Sequence, residues 1–116
     1  MTNKSQQLKA LKDITELKSE LSRAKLSVHR AEIGEIEAVI NEVAAARATT
    51  APETPVEAAA AARYAMWAAK RSDTLRAELA MAMARAQPVK EMATKDEARA
   101  QVIMRLLKDR VKQSKA

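Results

Sequence analysis

Thr49-Thr50-Ala51-Pro52-Glu53-Thr54-Pro55 is the one strong interruption between two long runs of helix-forming residues, and it sets the architecture of the chain. Pro52 and Pro55 each remove a backbone donor, and the residue before a proline is pushed away from helical geometry. Thr49 and Thr50 extend a helix poorly because their branched side chains crowd the preceding turn. The same stretch also prepares the next helix. Thr54 suits an N-cap, Pro55 the first helical position, and Glu57 the third, close to a capping box. A chain broken once in this way is predicted to be an antiparallel two-helix hairpin, with arms of about residues 3–48 and 56–113.

Composition points the same way. The chain has 116 residues and a mass of 12.7 kDa, enough for one domain. Its 47% apolar content is largely alanine, which favours helix but buries little area. Phe is absent, Tyr64 and Trp67 are the only aromatics, and Gly34 is the only glycine, so turn chemistry for a β-rich or α/β fold is missing. The expectation is an all-α, elongated coiled-coil hairpin forming a single domain. Without cysteine there are no disulfides or thiolate metal sites, as suits a reducing compartment. No apolar run approaches a membrane span, and the N-terminal residues lack a secretion-type apolar stretch, so a soluble cytoplasmic protein is expected.

Within the first arm two seams appear. Ile14, Leu17, Leu21, Ala24, Val28 and Ala31 alternate by three and four, and Leu26, His29, Ile33, Ile36, Ile40 and Val43 repeat that alternation in another frame. A change of frame near Gly34 implies local unwinding, with the glycine as a tolerated defect or a soft hinge. Asn3 or Ser5 would cap this helix. In the second arm the expected seam is Ala60, Tyr64, Trp67, Arg71, Leu75, Leu79, Ala82, Ala86 and Val89. Pro88 is predicted to kink this helix without ending it, the alternative being a third helix from Val89 that folds back.

Folding the arms about the break pairs residues whose numbers sum to roughly 104, placing Ile40 by Tyr64, Ile36 near Trp67 and Leu21 by Met83. The paired stem would be roughly 65–70 Å long, leaving residues 101–116 as an unpaired basic overhang of about 20–25 Å.

Charge is uneven along the chain. Net charge is +6; residues 1–30 carry seven Lys/Arg against three acids, and residues 99–116 carry six against one. Residues 31–62 hold six glutamates and only Arg47. A hairpin brings the two basic ends together.

Catalytic chemistry has little to stand on. His29 is the sole histidine, cysteine is absent, and one glycine cannot build a phosphate loop, so a non-enzymatic protein without metal or cofactor is expected. The carboxylates Glu32, Glu35, Glu37 and Glu42 read as a solvated helix face. Three features can carry binding. Tyr64 and Trp67 either wedge against Ile36 and Ile40 or anchor a partner. The methionines at 66, 81, 83, 92 and 104 are soft interface surface or seam filler. Ile103, Leu106, Leu107 and Val111, ringed by Arg105, Lys108, Arg110, Lys112 and Lys115, form a basic amphipathic segment suited to insertion, to packing on the first arm or to self-association. Non-specific binding of nucleic acid is the alternative for such a helix. The acidic middle and the scarcity of aromatics argue against a continuous basic groove or a stacking platform.

The two-arm layout, the stretch Arg63-Tyr64-Ala65-Met66-Trp67 after an alanine run, and the closing Val102-Ile103-Met104-Arg105-Leu106-Leu107-Lys108-Asp109-Arg110 resemble the FliJ/YscO-type family of type III export stalk proteins. That resemblance implies a cytoplasmic adaptor of a bacterial flagellar or injectisome export apparatus, whose basic end enters the pore of a hexameric export ATPase. It also implies contact with an export gate protein or export chaperones. Arg105, Lys108, Arg110 and Lys112 are then the residues expected at the ring, and Tyr64 and Trp67 those expected at a gate or chaperone.

Overall fold

The computed structural model describes residues 2–47 and 51–115, and these form two helices: α1 (Thr2–Arg47) and α2 (Pro55–Lys115). The protein is all-α, and α1 pairs antiparallel with α2. Both helices are rich in Ala, Leu, Glu and Lys, the residues that lose least on entering a helix. Thr49 and Thr50 lie outside the described residues, whereas Ala51–Thr54 are non-helical and exposed.

The start of α2 follows the expected cap chemistry. Thr54 Oγ1 accepts the Glu57 N–H at 3.1 Å, and the Ala58 N–H reaches the Thr54 carbonyl at 2.9 Å as the first helical bond. Glu57 reaches back, as in a capping box, but its carboxylate accepts from the Glu53 N–H at 2.9 Å, one residue earlier than the usual partner. At the other helix the expectation fails: α1 already runs from Thr2, so Asn3 and Ser5 sit inside its first turns and cap nothing.

α2 passes through Pro88 without a break, and no third helix folds back. Pro88 is exposed and lacks only the one hydrogen bond it cannot donate. Contacts divide the hairpin into two compact units, residues 1–28 with 86–116, and residues 29–85.

Burial along α1 corrects the expected frame change. Its more buried positions include Leu8, Lys12, Thr15, Ser19, Ser22, Leu26, His29, Ile33, Ile36, Ile40 and Val43, an unbroken four-three alternation, with Ser5, Glu16, Glu32 and Val39 beside or beyond it. One seam therefore runs the length of the helix. From Thr15 to Ser22 the seam is polar and small, with Ser19 only 2% exposed. The apolar frame Ile14, Leu17, Leu21 and Val28 is real, but it faces outward, at 51%, 57%, 55% and 69% exposure. Gly34 sits off the seam on an exposed face, where an added Cβ would meet nothing within 4 Å. It is a tolerated defect in a continuous helix and no frame changes there.

On α2 the seam runs Ala65, Ala68, Ser72, Leu75, Leu79, Ala82, Ala86, Val89, Ala93, Asp96, Ala100, Ile103, Leu107 and Arg110. The predicted residues from Leu75 to Val89 are right. Ala60 and Trp67 fall outside the seam, and Tyr64 and Arg71 lie on its edge. Within residues 29–85, Val43, Ala68 and Leu75 form the buried cluster, with Ile36, Val39 and Ile40 packed against it. Five of the eight buried apolar residues described are alanine, so the seam is narrow and each layer buries little area.

The register also differs from expectation. In residues 29–85, Arg85 Nη2 donates to Glu32 Oε1 at 2.8 Å, and in the other unit Ser22 Oγ donates to Asp96 Oδ2. These pairs sum to 117 and 118 instead of roughly 104, a slip of about fourteen residues, or two heptads. A two-heptad slip keeps the same face of each helix in contact, so apolar matching alone cannot detect it. The slip gives residues 101–114 a partner in the start of α1 and leaves the start of α2 uncovered.

Candidate functional site: a basic groove and an exposed aromatic pair

The unit formed by residues 1–28 and 86–116 holds fourteen Lys/Arg against seven acids, a formal charge of +7. The unit formed by residues 29–85 holds seven against eight, or −1. The expected juxtaposition of the two basic segments is therefore present within one unit. The predicted overhang is not, because the antiparallel register covers it with residues 4–17 of α1.

Ile103 and Leu107 are drawn half into the seam, while Leu106 and Val111 stay on its flanks. Two grooves result. One, of about 550 Å³, lies between Leu8 and Leu11 of α1 and Leu106 and Arg110 of α2, with Lys4 and Asp109 at its margin. The other, of about 380 Å³, has Met104, Leu107 and Val111 as its apolar floor and Lys12, Lys108 and Lys112 around it. Lys108 also borders a third depression of about 250 Å³ with Arg105, Gln101 and Met104. Arg105, Lys108 and Lys112 thus share one exposed helix side, where i, i+3 and i+7 positions align. Arg110 differs. It occupies a seam position, is half-buried and lines the groove beside Leu8 and Leu11. Lys12 was missed as a site residue because a lysine at a seam position is invisible to an apolar pattern.

Such a surface offers cationic heads over an apolar floor. It suits an amphipathic segment that brings carboxylates and aliphatic side chains together, since each cation gains a charged partner while the floor is covered.

Tyr64 and Trp67 are brought together, with ring centroids 5.5 Å apart and planes tilted by 39°. They do not wedge against Ile36 and Ile40, which pack with Val43, Ala68 and Leu75. Tyr64 is 37% and Trp67 54% exposed, because Tyr64 closes the wholly exposed run of residues 55–64 and Trp67 points off the seam that Ala65 and Ala68 occupy. The methionines at 66, 81, 83, 92 and 104 are exposed as well, so they fill no seam.

His29 lies on the seam with its Nδ1 buried and, among the described residues, without a hydrogen-bond partner. No group of three or more His, Cys, Asp or Glu side chains gathers as a metal site among the described residues. None of the described helices is long and apolar enough to cross a membrane. Comparison with protein families, with curated proteins and with solved structures found no match for this chain.

Proposed function

We propose that this protein is a non-enzymatic helical adaptor of a type III or flagellar export apparatus, and that its basic unit docks on a hexameric export ATPase. The observation that carries this reading is the charge division, +7 on one unit and −1 on the other, with cations set around apolar grooves. A ring pore lined by carboxylates and aliphatic residues would attract and then seat such a surface. Arg105, Lys108 and Lys112, exposed together, make the ring contact, and Arg110 lines the adjoining groove. Tyr64 and Trp67 are an aromatic pair placed for an export gate protein or an export chaperone. The setting is cytoplasmic, at the membrane-bound export machinery.

The test is co-sedimentation with a hexameric export ATPase, alongside a duplex DNA binding titration in increasing salt. The triple variant Arg105→Glu, Lys108→Glu, Lys112→Glu is expected to lose the ATPase while keeping its helical circular dichroism. Undiminished ATPase binding by this variant refutes the docking surface. Tight DNA binding that falls steeply with salt, without ATPase binding, would replace the proposal with a nucleic-acid function.

A further inference from the structure

The first half of α1 is inverted relative to an ordinary amphipathic helix. Its seam toward α2 holds Thr15, Ser19 and Ser22, while Ile14, Leu17, Leu21 and Val28 point nearly the opposite way and are at least half exposed. With Ala10 and Ala24, both exposed, these residues alternate by four and three over residues 10–28. That spacing is a second coiled-coil seam, roughly 28 Å long, on a helix whose other side is already occupied.

Its chemistry selects a partner. Read as a heptad, Ile14, Leu21 and Val28 take the first apolar position, and Ala10, Leu17 and Ala24 the second. Ile14 and Val28 at the first position with Leu17 at the second fit two parallel strands, whereas Leu21 departs from that pattern and Ala10 and Ala24 only narrow the seam, so the charged borders decide the direction. The flanking residues agree. Lys18 and Lys25 line one border and Asp13 and Glu20 the other, all exposed, with no ion pair for any of the four among the described residues. In a parallel pair in register, each border residue of the second kind meets the residue five further on in its partner. Asp13 then meets Lys18, and Glu20 meets Lys25, on both sides of the interface. In an antiparallel pair, acid would face acid and lysine would face lysine.

We infer that the outward face of α1 over residues 10–28 is an interface for a second copy of this chain, packed parallel and in register. Each α2 remains on the far side of its own α1, so nothing already buried has to open. The inference goes beyond the adaptor reading and does not depend on any ATPase contact.

Sedimentation equilibrium across the micromolar range tests this, with a species of twice the 12.7 kDa chain mass expected to accumulate as concentration rises. Leu17→Glu with Leu21→Glu should return the protein to monomer at unchanged helicity, because both side chains already face water. Ile14→Cys, in a chain without other cysteines, should form a disulfide-linked dimer under mild oxidation, since identical positions meet only in the parallel arrangement. A monomer at every concentration overturns the inference, and so does a dimer indifferent to the Leu17/Leu21 variant. Failure of Ile14→Cys to cross-link a protein that does dimerise overturns the parallel, in-register arrangement.

Discussion

Replacing Ser22 with alanine removes the hydroxyl that donates to the Asp96 carboxylate across the two helices. Asp96 is buried, and its other charged neighbour is the largely exposed Arg99, with Nη1 3.8 Å from Asp96 Oδ1. A hydrogen bond to a charged group contributes about 1.5–3 kcal/mol, and leaving a buried acceptor unpaired costs at least as much. Arg99 compensates only in part at that distance, so the expected loss is about 2 kcal/mol. With a urea slope of about 1–3 kcal/mol/M for a small protein, the unfolding midpoint should fall by about 1 M. Substituting both partners, Ser22→Ala with Asp96→Leu, should recover that loss, since no polar group is then left unpaired. The recovered protein should nevertheless lose its fixed register, because the alanine-rich layers match two heptads away and the exposed Glu32–Arg85 pair is too weak to hold it alone. Cysteine pairs read the register directly: Ser19→Cys with Ala100→Cys should cross-link in the parent chain, and Ser19→Cys with Ala86→Cys should not. In the doubly apolar background both pairs should cross-link. An unchanged urea midpoint for Ser22→Ala, or equal cross-linking of the two cysteine pairs in the parent chain, would refute the idea that this polar pair sets the register.

Two further outcomes are expected from local geometry. Thr54→Ala removes the acceptor for the Glu57 N–H and should cost about 1 kcal/mol of helix stability, read as reduced helicity and faster amide exchange in the first turn of α2. Gly34→Ala should stabilise by roughly 0.5–1 kcal/mol in thermal or urea unfolding, because the helix is regular there and a methyl meets nothing within 4 Å; destabilisation would show that the site needs the glycine.

What the sequence revealed depended on how loudly each residue speaks. The break at Pro52 and Pro55, the cap at Thr54 and the helix through Pro88 are local chemistry, and local chemistry is readable. The seam from Leu26 to Val43 is apolar, so periodicity finds it. Before Leu26 the buried positions are Ser22, Ser19, Thr15 and Lys12, and a search for apolar alternation follows Ile14, Leu17 and Leu21 onto the wrong face. The cue lay in continuing the Leu26–Val43 frame backwards without interruption. Register was illegible for a different reason: any slip by whole heptads preserves the pattern, and only Ser22 with Asp96, and Glu32 with Arg85, break the degeneracy. That slip reassigned the candidate sites. Arg105, Lys108, Arg110 and Lys112 gained a partner helix, and Tyr64 and Trp67 lost one.

The opening turns of α2, residues 55–64, are exposed throughout, and five successive alanines, Ala58–Ala62, follow the cap. A separate peptide of that length would not hold its shape in water, because initiating a helix costs more than a few added bonds return. Here the segment is continuous with the paired helix around Leu75, so each alanine prolongs a ladder that packing already supports. The position of the first turn is therefore written in the threonine–glutamate stopper rather than in any tertiary contact, and evolution can lengthen or shorten this projecting segment by moving that stopper while the paired portion stays as it is.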